Sequence, residues 1–479
     1  MDLIAQSLND CKDDCEEVHY LLLDVIRKLS SFKKYCTNMH QVDYFTGLYT
    51  QNINTVLSLQ DTLAHSPPSE DLLHSAGNTL SEIRDFLRIN QGQIGTLLTS
   101  SDWQSPSFAG STVQQAGRQT GTILPSVNDY KRDRHDDAFR YERKFIKEYV
   151  DHWIKFPIYA YATGSGMAAF TTILNYIMLE HKAVSHVLAG ESIWFENKML
   201  LAAAFQKRFI SVKESDTKTI LAIIKDKKPS VIVFDSVPNS ADMHTPDLDS
   251  IIPYIVKTAT TETYIIVDNT CGSIAFQPLK YVYGKNTNVR LIVFESLNKY
   301  HQFGMDRVTA GIIWCYGRET MKLSDYRAHM GTNIMDAVAA SLPTPNRTLL
   351  HKKLMRHMRN AQSISSQLRS WLDLHPECPI QSIEYPENPQ GGIFTITWKE
   401  SHQSVSVYTN FLTRILRTAR SQGVSIIGGT SFGLDTTRIY VAAQKSGPIP
   451  PFLRVAAGTE NRIQVEHIIS VFLTVFKLL

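Results

Sequence analysis

Apolar positions recur three and four apart through roughly the first hundred residues. The run "EEVHYLLLDVIRKLSSFKKY" predicts an amphipathic helix, and "VDYFTGLYTQNINTVLSLQDTLAH" predicts a second. A third follows in "PPSEDLLHSAGNTLSEIRDFLRI", with Pro67, Pro68 and Ser69 as its start signal. The periodicity then stops. "TSSDWQSPSFAGSTVQQAGRQTGT" is rich in Ser, Gly, Gln and Thr and reads as a linker or extended arm.

From about residue 145 the pattern changes again. Helical segments such as "GMAAFTTILNYIMLEH" and "TKTILAIIKD" alternate with short apolar runs. Those runs are "SHVLAG", "SVIVFDS", "TYIIVDNT", "RLIVFES" and "AGIIWCY". The alternation predicts an α/β domain with a mostly parallel sheet. A long helix, "NRTLLHKKLMRHMRNAQSISSQLRSWL", opens the remainder. The strands "GGIFTITW", "TTRIYVAA" and "FLRVAAG", with further helices, then predict a smaller α+β domain. The expected division is a helical extension over 1–100, a linker and arm over 101–144, a large α/β domain over 145–340 and a C-terminal α+β domain over 341–479.

Composition narrows the partners. A net charge of +3 without a basic block argues against nucleic acid. No apolar run reaches the length that spans a bilayer, so no membrane partner is expected. The start, "MDLIAQSLNDCKDDCEE", is too polar and acidic for a signal peptide. The six cysteines, at 11, 15, 36, 271, 315 and 378, are scattered. Cys11 and Cys15 lack a second Cys/His pair at zinc-site spacing, so no metal is expected. A reducing, cytoplasmic setting fits.

In open α/β sheets, ligand groups gather at the carboxyl ends of strands. The run "SVIVF" ends in Asp235, with Asn239 four residues on. "TYIIV" ends in Asp268, Asn269 and Thr270. "RLIVF" is followed by Ser296 and Lys299, an ammonium expensive to dehydrate so close to a buried strand. Before the first helix of the domain stands "YATGSGMAAF". Gly164, Ser165 and Gly166 let backbone approach a ligand, and the helix start offers N–H groups and a positive dipole end. The turn fits neither the esterase elbow, the Walker loop nor the dinucleotide fingerprint. Singly these features are ordinary: a helix-entry turn, a capping aspartate, a solvent-reaching lysine. In this order they match pyridoxal phosphate. That cofactor carries a phosphate, a pyridine nitrogen kept protonated by a carboxylate, and an aldehyde that bonds a lysine.

From roughly Tyr130 to the C-terminus the chain resembles the cystathionine gamma-synthase, or Cys/Met-metabolism, family of pyridoxal-phosphate enzymes. The resemblance implies the transferase fold of type I, with a mostly parallel seven-stranded type of sheet and a smaller C-terminal domain. The helical extension lies outside it. The family's Ser/Thr-Gly-Met turn is Ser165-Gly166-Met167, which implies phosphate binding by backbone amides. Its Asp-Asn-Thr is Asp268-Asn269-Thr270, which implies Asp268 against the pyridine nitrogen. Its Ser-x-Thr-Lys-Tyr is Ser296-Leu297-Asn298-Lys299-Tyr300, which makes Lys299 the Schiff-base lysine and Ser296 a phosphate ligand. Asn239, in "DSVPNS", takes the place of the contact to the ring hydroxyl. Tyr130 and Arg132 resemble the arm that reaches the phosphate of a neighbouring subunit. Ser431 and Arg454 resemble the residues that bind the substrate carboxylate, Arg454 by a bidentate pair.

The departures fall around the substrate. Trp194 stands where the family has a ring-stacking tyrosine, and an indole has no phenol to exchange a proton. "DRHDDAF" replaces the Asn-Pro-Thr of the arm. Asn298 replaces a threonine, "QFGM" replaces Gly-Gly-His-Ser, and Thr436 stands where some members have an acid that selects substrate.

The resemblance implies gamma-replacement or gamma/beta-elimination on a sulfur-containing or activated homoserine-type amino acid, as in transsulfuration. Two alternatives stay open. One is a specialised enzyme forming a carbon–carbon bond at the gamma carbon. The other is a non-catalytic cofactor-binding protein whose N-terminal helices do the work. The arm implies a homodimer or homotetramer. His301 has the intrinsic pKa of a proton shuttle, and a loop histidine with no role in turnover is an equal reading. Cys271 reads as a small buried residue.

Overall fold

The computed structural model describes residues 3–34, 40–100, 135–151, 157–181, 184–282, 284–317, 321–386, 391–442 and 450–479. The chain divides into two compact units, Met1–Lys182 with Phe294–Leu349, and Ala183–Val293 with Leu350–Leu479.

The first unit begins with three long helices, α1 (Leu3–Lys33), α2 (His40–His65) and α3 (Glu70–Thr99). On α2 the buried residues are Val42, Tyr49, Val56 and Leu63, a strict seven-residue repeat. That narrow seam is what a helix needs to pack against helices rather than be enclosed by them. On α3 the buried stripe Leu73, Ala76, Leu80, Ile83, Leu87 repeats at three and four. Ser69 caps α3 by accepting the Leu72 N–H at 3.2 Å. At Gly95 a Cβ would lie 2.0 Å from the Ala337 carbonyl oxygen, so α3 meets the helix Asp336–Ser341 backbone to backbone. Polar bonds fasten the chain beyond it. Tyr20 donates to the Thr344 carbonyl at 2.9 Å, Lys28 to the Leu342 carbonyl at 2.7 Å, and Asp24 accepts the Thr344 N–H at 3.1 Å. The helical extension is thus built into this unit.

Seven strands form a mostly parallel sheet. In the first unit β1 (Ile158–Thr163) runs antiparallel to β7 (Gly311–Tyr316), with Thr163 opposite Gly311. In the second unit β2 (Val187–Gly190), β3 (Phe209–Val212), β4 (Val231–Asp235) and β5 (Thr263–Asp268) are parallel neighbours in the order β5-β4-β2-β3. The near-continuous burial of β2, β4 and β5 suits a sheet covered on both faces, while the edge strand β3 is only partly buried. Strand β6 (Val289–Ser296) starts in the second unit, and its last residues, Phe294 to Ser296, belong to the first.

The second unit also holds a five-stranded sheet in the order β10-β11-β12-β9-β8. Its strands are β8 (Ile380–Glu384), β9 (Ile393–Trp398), β10 (Ile427–Gly428), β11 (Arg438–Ala442) and β12 (Phe452–Ala456). The core there joins Ile364 and Leu368 to Phe394, Trp398, Phe411, Leu453 and Phe472. Among the described residues no helix is long and apolar enough to cross a membrane.

Candidate active site

In the first unit the small-residue turn is a fitted cradle. Ser165 caps the helix Gly166–Glu180 by accepting the Ala168 N–H at 2.9 Å. The first N–H groups of that helix have no intrahelical acceptor, so those of Gly166 and Met167 are available to an anion. A Cβ at Gly166 would sit 2.9 Å from the Cβ of Ser296, and one at Gly311 would sit 2.2 Å from the Ser165 carbonyl oxygen. The turn is therefore wedged against the end of β6 and the start of β7, with glycine required at both contacts. This brings Ser165, Gly166 and Ser296 together.

Three residues after Ser296 stands half-buried Lys299, at the head of a single helical turn, Tyr300–Gln302. The turn is pinned from several sides. Leu297 N–H donates to the Ala310 carbonyl and Ala310 N–H to Asn298 Oδ1, each at 2.9 Å. Gln302 donates to the Val308 carbonyl at 2.7 Å and accepts the Val308 N–H at 3.2 Å. Asn298, a departure at sequence level, is thus a structural anchor. His301 is buried.

In the second unit, Asp235 and Asp268 end adjacent parallel strands in register. Asp235 is buried; burial first, and then the charge of Asp268, pushes its carboxyl well above the ordinary range. It accepts the Trp194 N–H at 2.8 Å, a bond that opposes the shift. Asp268 accepts the Thr270 N–H at 3.0 Å. Asn269 is buried and holds the following turn, donating to the carbonyls of Ser273 at 2.8 Å and Phe276 at 3.2 Å. Trp194 is half-buried, and its indole N–H donates to Glu196 at 2.9 Å.

Arg454, 6% exposed on β12, donates to Asn239 Oδ1 at 3.0 Å. Its guanidinium lies 4.4 Å above the ring of Tyr440, its cross-strand neighbour. Asn239 in turn donates its backbone N–H to the Ser192 carbonyl at 3.2 Å, which ties Arg454 to the turn carrying Trp194. Ser431 holds a φ of 59°, a left-handed backbone unusual for a residue with a Cβ. Tyr130 and Arg132 lie outside the described residues.

Sequence reasoning named Asp235 but missed its pairing with Asp268. The signal was there: two consecutive sheet-type runs each end in aspartate. It also missed Tyr440, visible only as the residue opposite Arg454. Among the described residues no group of three or more acid, His or Cys side chains suits a metal.

The donor set suits pyridoxal phosphate. The first unit carries a cradle too tight for a Cβ and a lysine past the end of β6, and the second carries a carboxylate at the end of β5. The fold agrees. The chain is similar to cystathionine gamma-synthase of Xanthomonas oryzae pv. oryzae (16% identity, TM-score 0.56, 73% of this chain and 88% of that one). It is similar in the same degree to cystathionine gamma-lyase of Lactobacillus plantarum (18% identity, TM-score 0.56, 73% and 88%). At these identities the likeness defines the fold, that of type I pyridoxal-phosphate enzymes.

The Cys/Met metabolism PLP-dependent enzyme family matches residues 116–425, and the chain belongs to it. It is therefore a pyridoxal-phosphate-dependent enzyme of amino-acid metabolism. The match begins before Tyr130 and stops short of Ser431 and Arg454. A curated relative, the "bifunctional enzyme flvA" of Aspergillus flavus, is 24% identical over 302 residues, 62% of this chain. The chain spans 37% of that relative's length.

Proposed function

We propose that the chain catalyses gamma-replacement or gamma/beta-elimination on a sulfur-containing or activated homoserine-type amino acid. The observation that carries the amino-acid reading is the Arg454–Asn239 bond at 3.0 Å over the Tyr440 ring. A buried guanidinium held this way has donors left for a carboxylate and loses little freedom on binding one.

The roles follow from each unit's residues. In the first unit Gly166 and Met167 N–H groups, with Ser165 and Ser296, would hold the phosphate, and Lys299 would take the aldehyde. In the second unit Asp268 would favour the charged pyridine nitrogen, Asn239 would meet the ring hydroxyl and Trp194 would pack against the ring. Arg454 orients the substrate carboxylate, with Ser431 beside its segment. Bound pyridoxal phosphate supplies the electron sink for charge developed at the amino acid's α-carbon. The Lys299 amine would be the base that takes that proton and returns it. Tyr130 and Arg132 serve a neighbouring subunit, so the working form is at least a dimer.

The test starts with colour. The purified protein with added cofactor is expected to absorb near ~420 nm, and Lys299→Ala is expected to lose that band. O-acyl homoserines and cystathionine, with and without a thiol, are then screened for keto acid, ammonia or a new thioether. A wild type that stays colourless sinks the enzyme reading and turns attention to the N-terminal helices.

One observation favours a second reading. Trp194 spends its N–H on Glu196 and offers no phenol. A site so changed suits a carbon nucleophile in place of a thiol at the gamma carbon. The same screen with an enolisable carbonyl compound as acceptor distinguishes the two by the mass of the product.

A further inference from the structure

Glu295 and Ser296 are successive residues of β6, so their side chains leave the strand on opposite faces. Ser296 lies on the face that meets the cradle. Glu295 enters the other, among Trp314 of β7 and the helix Asp136–Tyr149. It is 3% exposed, and a carboxylate there needs donors. Trp314 Nε1–H donates to Oε1 at 3.1 Å, and His301 Nε2 meets Oε2 at 2.8 Å. The bond to a carboxylate assigns the proton to His301 Nε2. His301, 2% exposed, fills an aromatic slot, its ring 5.6 Å from Phe145 and 5.1 Å from Tyr149. The buried hydroxyl of Tyr141, on the same helix, makes no hydrogen bond.

The pair straddles five residues, Ser296 to Tyr300, and Lys299 is among them. We propose that the buried Glu295–His301 bond, fixed by Trp314, is a positioning device that closes the turn carrying Lys299 and holds its amine in register with the cofactor's aldehyde. Packing alone does not call for it. An apolar pair of similar volume would fill the slot without dehydrating a carboxylate. What a directed bond adds is a single setting of the strand end against the turn, reached from the face away from the ligand. Glu295 and His301 touch neither cofactor nor substrate in this assignment, so they act through Lys299. The inference rests on the cofactor role of Lys299 proposed above.

The test uses the full chain loaded with pyridoxal phosphate. Two quantities are read, the pH midpoint of the ~420 nm band and the rate at which hydroxylamine bleaches it. Circular dichroism reports the fold. His301→Ala and Glu295→Ala are expected to move the midpoint by about one pH unit and to speed bleaching about tenfold, with the fold kept. Glu295→Gln keeps an acceptor for Trp314 and turns an amide N–H toward His301 Nε2, which accepts it in the ring's other neutral tautomer, so the bond is kept and the variant is expected to stay within about twofold of the wild type. Should His301→Ala fail to fold, His301→Gln, which keeps a donor of similar reach, is compared with His301→Leu, which does not. Wild-type midpoint and bleaching in folded variants that lack the donor would overturn the inference, leaving the pair as core packing. A wild type without the band removes the role of Lys299 itself and this inference with it, so the two failures are told apart.

Discussion

Asp235 and Asp268 stand side by side, the last residues of two parallel strands in register, and Asp235 is the buried one. Burial first, and then the Asp268 charge, push the Asp235 carboxyl well above its ordinary range, against the opposing Trp194 N–H. Its Oδ2 accepts the Trp194 N–H at 2.8 Å. Asp235→Asn keeps an acceptor for the Trp194 N–H and is expected to leave cofactor affinity within ~3-fold. Given the role proposed for Asp268 at the pyridine nitrogen, Asp268→Asn is expected to weaken binding or turnover at least ~100-fold, about 2.7 kcal/mol. Fluorescence titration with pyridoxal phosphate checks both. Equal effects from the two substitutions would contradict the division of labour.

Tyr440 lies under the Arg454 guanidinium at 4.4 Å. A desolvated cation–π contact is worth about 0.5–2 kcal/mol. Tyr440→Leu is expected to raise KM for the amino-acid substrate by ~3–20-fold with little change in kcat, and Tyr440→Phe, which keeps the ring, to restore it. Arg454→Ala is expected to abolish amino-acid-induced spectral change while the cofactor still binds. A Tyr440→Leu variant that lowers kcat alone would rule out the clamp-support role.

Glu214 illustrates pH linkage. Burial pushes its carboxyl from 4.5 up to about 7, against the opposing Ser192 N–H. The folded state therefore binds this proton more tightly than the unfolded chain. Stability from this group is fully present below pH 4.5, declines as pH rises from 4.5 to about 7, and stays reduced above. Glu214→Gln keeps an acceptor for Ser192, 2.6 Å away, without a titrating charge. It is expected to match the wild type below pH 4.5 and to be more stable above pH 7, by up to ~3 kcal/mol. Urea unfolding at both ends of the range decides. A stability difference that does not vary with pH would refute the assignment.

Gly95 and Gly92 form a matched pair on α3. A Cβ at Gly95 would lie 2.0 Å from the Ala337 carbonyl oxygen, whereas one at Gly92 meets nothing within 4 Å. Gly95→Ala is expected to cost ~1–3 kcal/mol by overpacking. Gly92→Ala is expected to gain ~0.5–1 kcal/mol from helix propensity. Thermal unfolding of the two proteins side by side would expose a loosely held helical extension as equal, small effects.

The parts of this architecture that sequence made legible are those written locally. Strands β4, β5 and β6 each announce themselves as an apolar run, and their ends carry Asp235, Asp268 and Ser296 in consecutive order. The cradle is a short stretch of chain, and so was readable. Arg454 and Asn239 are 215 residues apart, and their bond depends on how β12 is placed beside Tyr440 and Phe432, which no local pattern records. His301 was ambiguous for a related reason. Its meaning lies in Glu295, six residues earlier on a strand that read simply as buried. Asn298 looked like a lost threonine until its bond to Ala310 gave it work.

The docking of α3 has a consequence for the order of synthesis. Gln91 and the Ser341 carbonyl it bonds are separated by 250 residues, and Gly95 waits for Ala337 across a similar interval. At roughly 5–20 residues per second, a ribosome takes something like 12–50 seconds to make the missing partner. Throughout that time the nascent three-helix segment presents an uncovered face, including the groove at Gly95. Its survival in the cell then depends on what shields that face while translation proceeds, and slow codons between the two segments would prolong the exposure.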